Sequence, residues 1–310
     1  MRIVAVAGGT GKLGRAIVDG INGAGEFGLV VLARQQNDEK AKEIGARIVA
    51  VDYSNPDAIA LVLEQHAIEI VVSALSSESP PEHELNLIKG ADKSPVTRRY
   101  IPSIWGIRYT EEIASYFSPA QVKLNLLKSM EATSLEWTAV LNGYFLDFYG
   151  APKVATYMPP LVLAIDLFND VAAIPGSGQV LAVFTHTFDV GKFVAALLTK
   201  EKWEKESFII RDRLTLNDFV RIAEEVKGTK FRVEHDSVEK LKTGVITELP
   251  SHPVFYPFFP KEMLQGTFAA MGIALESGAF DLKPRRTLND EYPAIKPKTV
   301  RDLVSEAFST

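Results

Sequence analysis

The chain of 310 residues contains no cysteine, which excludes disulfides, thiolate catalysis and zinc–thiolate centres. Histidine is scarce: His66, His83, His186, His235 and His252 show neither a His-Glu-x-x-His pattern nor paired ligand spacing, so no metal is expected. No Gly-x-Ser-x-Gly elbow occurs, which leaves a hydrolase triad without its nucleophile. Positive charge is in deficit, with 34 Lys and Arg against 39 Asp and Glu and a formal net charge of −5. A nucleic-acid surface needs clustered cations with aromatics between them, whereas the pair Arg98-Arg99 falls in a strand-like run. No stretch reaches the roughly 18 unbroken apolar residues of a membrane span. Residues 2–7 read directly as a strand, without the basic and apolar regions of a signal peptide. The expectation is a soluble, cytoplasmic protein with neither nucleic acid nor membrane as partner.

What is present is alternation. Apolar runs at 2–7, 29–33, 47–52, 68–75, 100–103 and 137–141 read as strands. Between them, Leu13, Ile17 and Ile21 recur at helical spacing up to a stop at Gly23, and residues 38–44 form a short polar helix. Ser54 is expected to cap a helix with Pro56 in its first turn, ending near His66. Ser118 and Pro119 open another that reaches about Thr133. Strands and helices alternating at this interval predict an α/β fold, a doubly wound parallel sheet covered on both faces, over residues 1–150. Beyond, Pro159, Pro160, Pro175 and Gly176 break the chain often. Helices at 190–198 and 216–226 and strands at 208–210 and 231–233 predict a smaller α+β region over 151–310, with segments near 180–200 returning to the first domain.

The clearest motif follows the first strand, where Gly8-Gly9-Thr10-Gly11-Lys12-Leu13-Gly14 spaces glycines at 8, 11 and 14. The first permits the tight strand-to-helix turn, the second removes a side chain from the path of a pyrophosphate, and the third lets helix and strand pack closely. The helix N-terminus adds N–H donors and a positive dipole end. A strand before the turn and an amphipathic helix after it make this a dinucleotide-binding Rossmann turn. A Walker A loop is excluded, because the glycine before Lys12 lacks the required spacing and Leu13 replaces Ser or Thr. The second strand ends at Arg34, where an NAD-specific site places an acid on the ribose 2′-hydroxyl. A cation there pairs with a 2′-phosphate, which points to NADPH, with Lys12 and Lys40 adding charge. Asp52, at the end of the third strand, is grouped with these cofactor contacts.

Tyr149 and Lys153 have the Tyr-x-x-x-Lys spacing of ordinary short-chain dehydrogenases, but Gly150 and Pro152 disfavour the shared helix face that pair needs. Lys123 is better placed. Leu126, Leu127 and Met130 follow it at i+3, i+4 and i+7, so its stem borders a buried face, while Lys128 points elsewhere. Partial burial and a helix N-terminus both lower a lysine pKa, as proton transfer near neutral pH requires. On spacing alone, a lysine snorkelling from the core edge is an equal reading.

The glycine turn, Arg34, Tyr100-Ile-Pro-Ser103 with Trp105-Gly106, Lys123, the run from Leu135 to Phe145, Phe184-Thr185, Asp189-Val-Gly191 and the tail Leu288-Asn289 to Tyr292-Pro293 together resemble the isoflavone reductase-like and NmrA-like family of atypical short-chain dehydrogenases, in its fungal flavour. The resemblance spans nearly the whole chain. It implies that Lys123 is the catalytic acid/base in place of the tyrosine–lysine pair. It also implies that Ser73, Ala74, Leu75, Pro102, Ser103, Asn142, Gly143 and Phe145 lie near the nicotinamide. Many members carry an acid where this chain has Ile104, which points to a more apolar pocket. The function expected is NADPH-dependent reduction of a carbonyl or activated double bond in a small, largely apolar aromatic or polycyclic metabolite, by a monomer or homodimer. Trp105, Tyr144, Phe148, Tyr149, Tyr157, Phe255, Tyr256 and Phe259 are candidates for an aromatic substrate wall, with core packing as the equal alternative. The second functional reading is a dinucleotide-binding redox sensor of NmrA type, without chemistry, and a non-redox cyclase or isomerase is a distant third.

Overall fold

The computed structural model describes residues 1–76 and 78–308. Six parallel strands form its central sheet in the order β3-β2-β1-β4-β5-β6. They are β1 (Ile3–Ala7), β2 (Gly28–Ala33), β3 (Arg47–Ala50), β4 (Ile68–Ser73), β5 (Arg99–Ile101) and β6 (Glu136–Trp137). The connecting helices are α1 (Lys12–Ala24), α2 (Asp38–Ile44), α3 (Pro56–Gln65), α4 (Pro81–Lys93), α5 (Glu111–Tyr116) and α6 (Ser118–Glu131).

Alternation along β1 explains the two layers. Val4 and Val6 face a core with Leu13, Ile17 and Ile21 of α1, whereas Ala5 and Ala7 face Ile59, Leu63, Leu87 and Ile88 on α3 and α4. Chain order reverses between β1 and β4, so the crevice beyond their C-terminal ends is the topological switch point where such sheets bind ligands.

From residue 139 the chain leaves this sheet. β7 (Ala139–Leu141) pairs with β12 (Glu206–Phe208), and β8 (Tyr144–Phe145) joins β11 (Leu181–Thr185) and β13 (Asp212–Thr215). β9 (Ile165–Asp166), β10 (Val171–Pro175) and β14 (Arg232–Asp236) form a third small sheet. The helices here are α7 (Asp147–Gly150), α8 (Thr187–Leu198), α9 (Leu216–Lys227), α10 (Val238–Lys242), α11 (Lys261–Glu276), α12 (Leu288–Glu291) and α13 (Val300–Phe308). Phe184, Phe219 and Phe268 are buried at the centre of the second core, and α8 returns to pack along α1.

Several local expectations change. α1 runs past Gly23 to Gly25, whose φ of +68° closes the helix in the left-handed region with its N–H on the Ile21 carbonyl. Asn55, not Ser54, caps α3, accepting from Asp57 N and Ala58 N, because the Ser54 hydroxyl is engaged with Asp52. Ser118 is the first residue of α6 and caps nothing, since the unanticipated α5 ends only two residues earlier. The run at 137–141 is split at Thr138, which bonds to the Tyr100 carbonyl and to Ser207 while the chain changes partner.

Candidate active site

Two of the three spaced glycines in the turn are required by close backbone packing. A Cβ on Gly8 (φ +77°) would lie 2.5 Å from the Ala74 carbonyl oxygen, and one on Gly14 would lie 2.1 Å from that of Gly8. Around Gly11, by contrast, nothing comes within 4 Å of the added atom. Gly11 is also the N-cap of α1 and offers no side-chain acceptor, and the first turn carries no acid. The N–H groups that open α1 therefore keep their positive end for an external anion. Lys12, at φ +51°, holds a left-handed conformation uncommon for a side-chain-bearing residue. Its ammonium reaches Glu78 at 2.8 Å. A cradle with one open glycine and an uncapped helix start fits a pyrophosphate, and these residues would hold it.

Around this turn, Thr10 is exposed and Leu13 is buried in the α1 core. Arg34 is exposed just past β2 and has no carboxylate partner among the described residues. Lys40 is tied to Glu43 at 2.8 Å. Asp52 is exposed and accepts from Ser54 N and Oγ, which holds its carboxyl below the usual carboxylate range.

At the C-terminal ends of β4 and β5 a tight polar cluster forms. Lys123 of α6 is half-buried and donates to the Ser103 carbonyl oxygen at 2.5 Å. Ser103 Oγ donates to the Leu75 carbonyl, and Trp105 Nε1 donates to that of Ser73 at 3.1 Å. Pro102 and Ala74 flank them, with Ala74 N on the Ala7 carbonyl. Burial lowers the Lys123 pKa, and Glu84 opposes that by favouring the ammonium. Asn142, fully buried, accepts from Gly106 N at 3.1 Å, and Gly143 N returns a bond to the Gly106 carbonyl. Only glycine suits position 143, where φ is +71° and a Cβ would lie 2.2 Å from the Val183 carbonyl oxygen. Phe145 is partly buried beside Phe148.

The aromatic candidates do not form one wall. Tyr144 and Tyr149 lie inside the second core against Phe184, with the Tyr149 ring tilted against that of Phe219 at 4.7 Å between centroids, and Phe148, Phe255 and Tyr256 pack on that core's edge. Trp105 is buried with its indole N–H committed to Ser73. Tyr157 lies elsewhere, with its hydroxyl on Asp19 and its ring beneath Arg15 on the outer side of α1. Phe259 is exposed. Lys153 is exposed and sits over the Phe308 and Phe168 rings.

Among the buried carboxylates that escaped sequence reasoning, two lie close to these elements. Glu84 lies beneath the Lys123 cluster; its signal was a position three and four residues before Leu87 and Ile88, on the inward stripe of α4. Asp147 accepts from Thr187 N and Oγ1 and from Thr156 Oγ1, joining α7 to the start of α8. Among the described residues no cluster of His, Asp and Glu could hold a metal ion, and no helix is long and apolar enough to cross a membrane.

Comparison with known proteins agrees with this geometry. A family profile described as NAD(P)H-binding matches residues 8–158. Oxidoreductase BOA1 of Botryotinia fuckeliana is 35% identical over 300 residues, covering 95% of each chain. Isoflavone reductase homolog IRL of Zea mays is 22% identical, covering 97% of each. The solved structure of AtPrR2 with NADP+ and (+)-pinoresinol matches the fold with a TM-score of 0.77, at 21% identity over 98% of each chain. The chain is an NAD(P)H-dependent oxidoreductase, and it belongs to the isoflavone reductase-like, NmrA-like family of atypical short-chain dehydrogenases/reductases.

Proposed function

We propose that this oxidoreductase uses NADPH to reduce a carbonyl or activated double bond in a small, largely apolar aromatic or polycyclic metabolite, with Lys123 as general acid. The observation that carries this reading is the half-buried Lys123 ammonium on the Ser103 carbonyl, at the C-terminal edge of the sheet beside the glycine turn. When bound, the nicotinamide supplies the hydride to substrate carbon. Lys123 supplies the matching proton to the oxygen or α-carbon, directly or through water, and a lowered pKa suits it to that transfer near neutral pH. The Lys123–Ser103 bond fixes where that proton is held, and Asn142 fixes the loop from Trp105 to Gly106. Arg34, without a carboxylate partner among the described residues, would take the 2′-phosphate and favour NADPH over NADH. Residues 1–150 would bind the cofactor, and the region beyond would supply most of the substrate surface. That a relative by fold was solved with NADP+ and an aromatic ligand supports the substrate class.

The test is NADPH consumption against aromatic ketones, enones and quinones, with Lys123→Ala alongside. Turnover by the wild type that falls about 100-fold or more in the variant is expected from loss of a general acid. Turnover unchanged in Lys123→Ala would overturn the assignment of that residue. Tight NADPH binding with no turnover would favour a sensing role instead.

A further inference from the structure

Beneath the cluster just described lies a carboxyl group that the reaction as proposed does not use. Glu84, in the first turn of α4, is only 5% exposed. Its Oε1 accepts from Ser103 N at 3.1 Å and from Tyr100 Oη at 3.1 Å, and its Oε2 accepts from Ser73 Oγ. These donors come from β4, from β5 and from the loop that follows it, so three segments converge on one side chain. Ser73 Oγ is itself held by Leu75 N. A buried group that collects three donors is furnished as an ionised carboxylate requires, because a carboxylate only accepts. The same residue, Ser103, then links it to the lysine: its N–H points to Glu84 and its carbonyl to Lys123.

We infer that Glu84 is a positioning residue, a buried counter-charge that acts across Ser103 to keep Lys123 protonated and its ammonium seated at the reaction edge. This rests on the reading of Lys123 as the general acid. Ile104, next to Ser103, is buried and apolar, and Glu84 brings a carboxylate to this cluster from α4. Other ionisable groups near the pair are Tyr100 from β5, Tyr53 from the loop after β3 with His83 stacked on it, and Tyr109, whose hydroxyl donates to the Trp105 carbonyl. Burial and the proximity of Glu84 both hold Tyr53 and Tyr100 neutral, and burial does the same for Tyr109. Glu84 is therefore the counter-charge whose removal Lys123 should feel. Burial raises the Glu84 pKa, while its donors and Lys123 oppose the shift, so each partner favours the charged form of the other.

The experiment separates this inference from the proposed reaction. The Lys123 side chain is titrated by NMR in protein labelled with 13C and 15N at lysine, its signal assigned through Lys123→Arg. No turnover is needed. In Glu84→Gln, which keeps acceptor and shape but removes the charge, the Lys123 titration is expected to move to lower pH. At the wild-type midpoint, the protonated fraction should fall roughly fivefold, as expected for losing an opposite charge this close. Tyr100→Phe keeps the charge but removes one donor, and should move the titration in the same direction by less. With a turning-over substrate, the alkaline limb of the kcat profile should follow the same shift, while KM for NADPH stays within twofold. A Lys123 titration unmoved in folded Glu84→Gln, or moved more by Tyr100→Phe, would overturn the inference. Absence of turnover with the titration shifted would count against the reductase reading alone. Should Glu84→Gln fail to fold, the 13C signal of the Glu84 carboxyl in the wild-type protein carries the test, and a carboxyl that stays protonated across the pH range in which Lys123 titrates would overturn the inference.

Discussion

Gly20 of α1 and Gly191 of α8 meet backbone to backbone. A Cβ on Gly20 would lie 2.3 Å from the Gly191 carbonyl carbon and oxygen, and one on Gly191 would lie 2.1 Å from the Ala16 carbonyl oxygen. This contact seats the returning helix on the one that opens at the cofactor turn. Gly191→Ala is expected to force the helices apart and cost about 1–3 kcal/mol of stability, as overpacking does. Denaturant unfolding of the variant measures it; an unchanged midpoint would show that the helices slide at no cost.

The glycine turn separates structural from functional demand within seven residues. Gly11→Ala meets open space in an extended backbone that any residue adopts, and should cost less than about 1 kcal/mol of stability. Its methyl group would occupy the approach to the helix N-terminus, so NADPH affinity should weaken about tenfold or more. Gly14→Ala, blocked by the Gly8 carbonyl, should instead lose stability first. Fluorescence titration with NADPH and a thermal melt on both variants distinguish the two.

Much of the first half was legible because its signals are local. A continuous apolar strand, a glycine turn and an amphipathic helix occur in order, and α2 falls at the residues anticipated, with Asn37 as its cap. Lys123 was readable from its i+3, i+4 and i+7 neighbours. Its bond to Ser103 was not, because that contact spans 20 positions and depends on where β5 ends. Glu84 was hidden differently: a glutamate in a polar first turn reads as a solvated charge complementing the helix dipole, and only folding shows three donors arriving from β4, β5 and its loop. The aromatic residues misled for the complementary reason. Tyr144 and Tyr149 have the composition of a substrate wall but fill a second core, built from short strands that carry little periodicity.

Arg34 should decide cofactor choice. Arg34→Ala is expected to weaken NADPH binding about tenfold while leaving NADH within twofold, the difference expected from one lost charge-assisted bond. Calorimetric titration with both nucleotides measures it, and equal losses for both would remove Arg34 from the 2′-phosphate.

Asp236 gives the fold an acid-sensitive latch at the end of β14. Burial opposes its ionisation, but hydrogen bonds from Lys240 Nζ and from Thr247 Oγ1 and N prevail, and the carboxyl stays below the usual range. A carboxyl with a depressed folded pKa contributes stability that is present above its unfolded value, near about 3.9, and is lost as pH falls through the folded value. Asp236→Asn should therefore cost about 2 kcal/mol at pH 7. The gap to wild type should close as pH drops below the ordinary carboxylate range, a trend that urea unfolding across pH measures. A gap constant with pH would remove Asp236 from this role.

The central claim is that hydride leaves NADPH in this site and that Lys123 supplies the proton. Its most direct test is deuterium transfer from NADPH labelled at C4, in each of its two facial forms, to products formed from the panel of aromatic ketones, enones and quinones. The account predicts a product carrying one deuterium from one labelled face only, formed about 100-fold or more slowly by Lys123→Ala. NADPH bound tightly by the wild type with no deuterium in any product would contradict it.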